Sequence, residues 1–260
     1  MKKVDAKVVI RLRNVSKHYP MGDSVVKALS HLEFKVYEGE FVAIMGPSGS
    51  GKSTAMNLVG SLDMPTFGTI YLDDEDISLL SESDLAQVRG KRIGFIFQSF
   101  NLIPNLTVKE NVMLPMMFQG TSIEERSDKA EELLKLVELE SRMDHYPGEI
   151  SGGQMQRVAI ARSLANDPEV ILADEPTGNL DTKTGAIVME FLEKLNKEGK
   201  TIIMVTHDPE LAEEYADVVY WLRDGILEKV TKKVGKRFVD VTKKEKKEMT
   251  EDGAKRKRKG

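Results

Sequence analysis

The sequence predicts an α/β domain on a mostly parallel sheet, with a helical subdomain inserted into it. Three observations carry this. Phe41–Met45 (FVAIM), Val170–Ala173 (VILA) and Thr201–Val205 (TIIMV) are short apolar runs of the kind that form strands buried on both faces. Each opens directly onto glycine-rich or polar residues, and helical patterns separate the runs. From about residue 99 to residue 165 the signals are helical throughout. Ligands of such sheets bind beyond the carboxyl ends of the strands, where these polar residues fall.

The elements follow in order. The first 45 residues read as strands, with Leu32, Phe34 and Val36 alternating against Glu33, Lys35 and Tyr37. Glu38-Gly39-Glu40 turns the chain into FVAIM, and a helix over Lys52–Leu62 follows. In the inserted region, Ser122 with Glu125 three residues later forms a capping box. Ile123, Ala130, Leu133, Leu134 and Val137 then keep helical spacing. Asp224-Gly225, between VVYWLR and ILEKV, signals a hairpin. Beyond Val230 no periodic pattern is visible, so the folded domain is expected over residues 1–230, with a flexible basic tail over 231–260. There is no internal repeat.

Composition narrows the function. Of 260 residues, 40% are hydrophobic and 31% charged, which is the balance of a folded chain. With no cysteine, disulfides, thiolate zinc sites, iron–sulfur clusters and cysteine nucleophiles are excluded. No apolar run reaches the ~18 residues of a membrane helix, and the charged N-terminus lacks a secretory signal, so the protein is expected to stay where it is made. Residues 229–260 hold 14 Lys/Arg against 5 Asp/Glu, a net +9, so the remainder carries −13 of the total −4. The acidic body argues against a nucleic-acid-binding surface. The tail reads as a solvated terminus, with weak attraction to anionic lipid or nucleic acid as the sharper alternative.

Three motifs carry chemistry. Residues 46–53, GPSGSGKS, match G-x-x-x-x-G-K-[ST] between a strand and a helix. In such a loop glycines turn backbone N–H groups inward, the following helix aims its positive end at the same point, the lysine meets the β- and γ-phosphates and the serine hydroxyl ligates Mg²⁺. Asp174 and Glu175 end the VILA strand, where two adjacent carboxylates are costly without a task. Asp174 can hold Mg²⁺ through water, and Glu175 can deprotonate an attacking water. Ser151-Gly152-Gly153-Gln154 opens a second helix and reads as a second anion site. One phosphate loop plus a second anion site suggests two chains that lend their second sites to each other.

Together these residues resemble the nucleotide-binding subunit of ATP-binding cassette (ABC) transporters over about residues 8–230. The phosphate loop resembles Walker A, VILADEP Walker B and ISGGQ the family signature. Gln98 resembles the Q-loop glutamine, GNLD (178–181) the D-loop, His207 the switch histidine and Tyr19 the aromatic that stacks on adenine. IMGPSGSGKST, LDMPTFG, IGFIFQSFNLIPNLTVKENV and LADEPTGNLD are similar to the lipoprotein-releasing and macrolide-export branch. Ile150 for leucine and Met155 for glutamine are small departures beside the signature.

The resemblance implies a RecA-like P-loop core with a small antiparallel β subdomain and an inserted helical subdomain. It implies an ATPase subunit that uses ATP and Mg²⁺ and dimerises head to tail with ATP. The subunit would drive a separate permease from the cytoplasm, peripheral on the inner face of the membrane. Gly46, Pro47, Ser48, Gly49, Ser50, Gly51, Lys52, Ser53 and Thr54 would then hold ATP with Tyr19. Ser151, Gly152, Gly153 and Gln154 would hold it in trans, and Asp181 would lie at the dimer interface. Glu175, His207 and Gln98 would be catalytic, while Ser53, Gln98 and (through water) Asp174 would hold Mg²⁺. The apolar segment FNLIPNLTVKENVMLPMMF is read from its residues mostly as core packing of the helical subdomain, with Phe100, Leu102, Ile103, Met116 and Met117 expected to line a groove for a partner helix. His18, His31 and His145 read as ordinary surface or loop residues. A membrane ATPase that regulates cell-wall enzymes remains an open alternative. A P-loop kinase would leave SGGQ and His207 without a task.

Overall fold

The computed structural model describes residues 7–235, 237–245 and 247. In chain order its strands are β1 (Val8–Met21), β2 (Ser24–Tyr37), β3 (Phe41–Met45), β4 (Phe67–Leu72), β5 (Glu75–Asp76), β6 (Ile93–Ile96), β7 (Val170–Asp174), β8 (Thr201–Thr206), β9 (Val218–Arg223), β10 (Ile226–Val234) and β11 (Arg237–Asp240). Its helices are α1 (Lys52–Val59), α2 (Glu82–Arg92), α3 (Val108–Phe118), α4 (Ile123–Leu136), α5 (Gly152–Ser163), α6 (Thr182–Lys197) and α7 (Pro209–Tyr215). They fall into two compact units, one built from the chain up to Leu80 and from Val205 onward, the other from Ser81–Met204.

In the first unit β1 and β2 form a long antiparallel hairpin, extended by β4 and β5 in the order β2-β1-β4-β5. Ile10, Leu12, Leu32, Phe34, Val36, Ile70 and Leu72 are its buried side chains. The strand β3 is buried along its whole length and runs parallel to β9, with β10 and β11 added antiparallel beyond it. Asp217 pins the start of this pair: Phe41 N–H donates to its carboxylate at 3.0 Å, and its own N–H donates to the Phe41 carbonyl at 2.7 Å. The β9–β10 turn places Asp224 at φ 49° and Gly225 at φ 75°. Two positive φ values in a two-residue turn match the right-handed twist of the strands, which is why the Asp-Gly pair forms the expected hairpin.

The C-terminal boundary differs from expectation. β10 continues past Val230 to Val234, and β11 follows. Trp221 Nε1 donates to the buried Thr231 Oγ1 at 3.2 Å, and Val230 N–H donates to Thr242 Oγ1 at 2.9 Å. Lys232 pairs at 2.7 Å with Glu245, itself buried. Charged residues such as Lys229, Lys232 and Lys233 mask the strand pattern, because an edge hairpin needs few buried apolar positions. The basic residues 248–260, which the sequence assigns to a flexible tail, lie outside the described residues. Ending the chain after Val230 should cost about 2–4 kcal/mol, because Trp221 Nε1 and Val230 N–H lose their acceptors Thr231 and Thr242 and the β10–β11 pairing is lost. That lowers the melting temperature by roughly 5–15 °C.

The second unit pairs β6 with β7 in parallel, from Ile93↔Val170 to Ile96↔Ala173. Between these strands in sequence lie α3, α4 and α5. Capping boxes start all three: Thr107 with Glu110, Ser122 with Glu125, and Ser151 with Gln154. Val108, Val112 and Met116 of α3 are buried, as are Ala130, Leu133 and Leu134 of α4 and Val158–Ala161 of α5. No helix of the described residues is long and apolar enough to cross a membrane.

Candidate functional site

In the first unit β3 runs straight into the phosphate loop and the loop into α1. Gly51 is the N-cap residue at φ 98°, and among the described residues no side chain caps that end of α1. The first-turn N–H groups and the positive helix end are therefore presented to an anion. Only glycine fits there: a Cβ would meet the Ala28 carbonyl oxygen at 2.7 Å and Leu29 Cδ2 at 2.8 Å. The β9–β10 turn braces the loop, with Gly225 N–H donating to the Ser50 carbonyl at 3.1 Å. Lys52 is buried and donates to the carbonyls of Gly46 at 2.8 Å and Pro47 at 3.0 Å, so its ammonium lies across the loop. The buried Ser50 hydroxyl has no hydrogen-bond partner among the described residues. An open helix end, a cation and an orphaned hydroxyl fit a polyphosphate. Near the end of β1, Tyr19 is half-buried. His207 is exposed immediately after β8, in a turn where Asp208 N–H donates to Thr206 Oγ1 at 3.0 Å and Asp208 caps α7.

In the second unit Asp174 closes β7 and Glu175 follows, both half-buried. Glu175 adopts a left-handed φ of 46°, and its carbonyl accepts from Gly178 N–H at 2.9 Å. Ser151 caps α5: its hydroxyl accepts from Gln154 N–H at 3.3 Å, while Ser151 N–H donates to Gln154 Oε1 at 2.9 Å. Asp181 caps α6 by accepting from Thr184 N–H at 3.0 Å and the Thr184 hydroxyl at 2.6 Å, bonds that hold its carboxyl below the usual range. Gly153 lies against this cap, since a Cβ there would meet Thr184 Cγ2 at 2.1 Å.

Three side chains to which the sequence reading gave no individual role tie these segments together. Asn179 Nδ2 donates to the Gln98 carbonyl at 2.8 Å. The fully buried Gln156 of α5 donates to the Pro176 carbonyl at 2.7 Å. Arg162, also of α5, donates to the carbonyls of Phe100 at 2.7 Å and Asn101 at 2.5 Å, two residues held at φ 59° and 51°. Gln98, the signature helix and the 176–181 segment thus form one hydrogen-bonded assembly. Gln156 and Arg162 look like polar positions of an ordinary helix, and nothing local marks their partners.

The proposed groove residues divide. Met116 is buried in the core, which corrects its assignment to a groove, while Ile103 and Met117 are each 44% exposed. Helical spacing alone could not tell which of two adjacent methionines turns inward. Asn111 fixes how Ile103 is presented: its side chain accepts from Ile103 N–H and donates to the carbonyls of Ile103, Leu106 and Thr107. The His18 ring packs edge-on against Phe67, and the His31 and His145 rings lie at hydrogen-bond distance from Asn14 and Arg142.

Comparison with known proteins agrees with this geometry. Residues 29–178 match the family model described as ABC transporter. The chain is 51% identical over 227 residues to an uncharacterized ABC transporter ATP-binding protein of Thermotoga maritima, covering 87% of this chain and 97% of the relative. It is 49% identical over 226 residues to the macrolide export ATP-binding/permease protein MacB of Brucella melitensis, covering 86% of this chain and 35% of that longer protein. Among solved structures, the dimeric post-hydrolysis state of the ATP-binding cassette MJ0796 bound to ADP and Pi superimposes with a TM-score of 0.81 at 49% identity, covering 87% of this chain and 99% of that one. MJ0796 itself comes from Methanocaldococcus jannaschii. Phosphate loop, signature helix and sequence relationship converge on one assignment: the chain belongs to the ABC transporter family.

Proposed function

We propose that this chain is the ATP-binding and ATP-hydrolysing subunit of a membrane transporter, held at the inner face of the cell membrane by a separate permease. The observation that carries this reading is the phosphate cradle, with Lys52 across the Gly46 and Pro47 carbonyls at the uncapped end of α1. ATP takes its phosphates to the loop 46–54 and its adenine to Tyr19. Ser53, Gln98 and (through water) Asp174 would hold Mg²⁺, which would supply positive charge to offset that of the phosphates. Hydroxyl, amide and carboxylate oxygens suit a hard cation that keeps part of its water shell. Among the described residues no cluster of three His, Asp or Glu forms a rival metal cage.

Glu175 accepts the proton of the attacking water, and His207 and Gln98 orient the reacting groups. The Ser151 hydroxyl accepts from Gln154 N–H and keeps its own hydrogen for a phosphate oxygen. Ser151–Gln154 complete the site of a second copy, with Asp181 at the same interface. The dimeric form of the MJ0796 cassette supports this pairing. MacB, which joins an ATP-binding part to a permease, supports the membrane partner. Phosphate release from Mg²⁺-ATP by the purified chain tests the reading, and no release above background would sink it.

The exposed Ile103, held out by Asn111, is part of the permease contact next to Gln98. Ile103→Glu should release the subunit from permease-containing membranes, cutting the bound fraction about tenfold by placing a charge in an apolar contact. ATPase activity in solution should stay near wild type. Co-sedimentation checks this, and retention on the membrane would remove Ile103 from the contact.

A further inference from the structure

Tyr19 is held in place at its hydroxyl, which donates to Asp63 Oδ2 at 2.7 Å. Lys17, two residues earlier on the same face of β1, places its ammonium 4.9 Å from the Tyr19 ring centroid. The same ammonium pairs with Asp63 Oδ1 at 2.5 Å and donates to the Met64 carbonyl at 2.8 Å. Met64 N–H completes the set by donating to Asp63 Oδ1 at 2.7 Å. Burial works against the Asp63 carboxylate, but hydrogen bonds from Lys17, Tyr19 and Met64 hold its pKa below the ordinary value. Partial burial and the Asp63 carboxylate push the Tyr19 phenol up, so it remains a donor.

The origin of this partner matters. Asp63 follows shortly after α1 ends. The N-terminus of the same helix forms the phosphate cradle. The carboxylate that bonds the Tyr19 hydroxyl thus lies on the segment leading out of the element that receives the phosphates. Lys17 covers one face of the ring. An aromatic side chain ordered before binding loses less rotamer freedom when a base stacks on it.

We infer that Asp63 is a positioning residue for the nucleotide base: with Lys17 it locks the Tyr19 ring at a set distance from the phosphate loop, so that base and phosphates are recognised together. The inference rests on the reading of Tyr19 as the adenine platform. It adds a specificity role for two residues that touch neither the phosphates nor the base.

Calorimetric titration of the full chain with ADP and with inorganic pyrophosphate, both with Mg²⁺, tests it without hydrolysis. Asp63→Ala should weaken ADP binding by about 3–10-fold, less than a full charge-assisted hydrogen bond, because the lost bond orders the ring and is not made to the ligand. Pyrophosphate binding should stay within about twofold of wild type. Tyr19→Phe keeps the ring but cuts the link to Asp63, and should give the same pattern. The double variant should lose less ADP affinity than the sum of the two single losses, because both single changes remove the same Tyr19–Asp63 bond. Should Asp63→Ala fail to fold, Tyr19→Phe decides alone. Equal losses for both ligands would make Asp63 a support of the phosphate loop and overturn the inference, as would unchanged ADP binding in the single variants. Tyr19→Ala separates the two levels. If it leaves the preference for ADP over pyrophosphate intact, the adenine reading of Tyr19 fails and the positioning role falls with it. If it erases the preference while Asp63→Ala and Tyr19→Phe do not, only the positioning role fails.

Discussion

Replacing Glu175 by glutamine should slow ATP hydrolysis by about 10²–10⁴-fold, the usual share of a general base, while ATP binding survives. Glutamine keeps the size and polarity of the side chain and removes its basicity. Nothing in the phosphate loop changes, since the Lys52 contacts to Gly46 and Pro47 and the open end of α1 involve no atom of Glu175. ATP should then persist between the loop of one copy and Ser151–Gln154 of the other. Loss of a carboxylate beside the phosphates also reduces repulsion. The variant should elute as a dimer with ATP and Mg²⁺ and as a monomer with ADP, because only the γ-phosphate bridges the copies. A protein that stays monomeric in saturating ATP would count against the composite site. Wild-type turnover would take the base role away from Glu175.

Lys52→Ala should abolish measurable hydrolysis and act on binding as well. The ammonium is the charge that the buried Lys52 side chain brings to the loop carbonyls. Two unit charges about 4 Å apart interact by about 4 kcal/mol at the effective dielectric of a partly buried site. Its loss should therefore weaken ATP binding by about 10²–10³-fold. The melting temperature should change little, since the loop is also braced by the Gly225 bond to Ser50 and by the α1 backbone. Nucleotide titration alongside a phosphate-release assay separates the two effects. A variant with wild-type affinity and turnover would show that the triphosphate binds elsewhere.

What was legible in the sequence was local. Phe41–Met45 is an apolar strand because all five side chains are buried. Asp224-Gly225 forms the hairpin because these two residue types tolerate positive φ. Ser122 and Glu125 cap α4 across three positions, and the glycines of residues 46–51 announce a backbone that other residues cannot follow. In each case the residues that need one another are adjacent, so order along the chain carries the physics. The sequence alone therefore determined the α/β class, the phosphate loop, the capped helices and the family.

Only the tertiary structure decided the rest. It joined Tyr19 to Asp63, 44 positions apart. It aimed Arg162 at the carbonyls of Phe100 and Asn101, and Gln156 at Pro176. It turned Met116 inward and left Met117 exposed, and it carried the fold past Val230 through the Lys232–Glu245 pair. A donor is visible in a sequence, but its acceptor is a backbone carbonyl or a common carboxylate that every residue type or many residues can supply. Which of them it meets depends on how whole helices and strands pack, and burial then makes that choice costly to leave unmet.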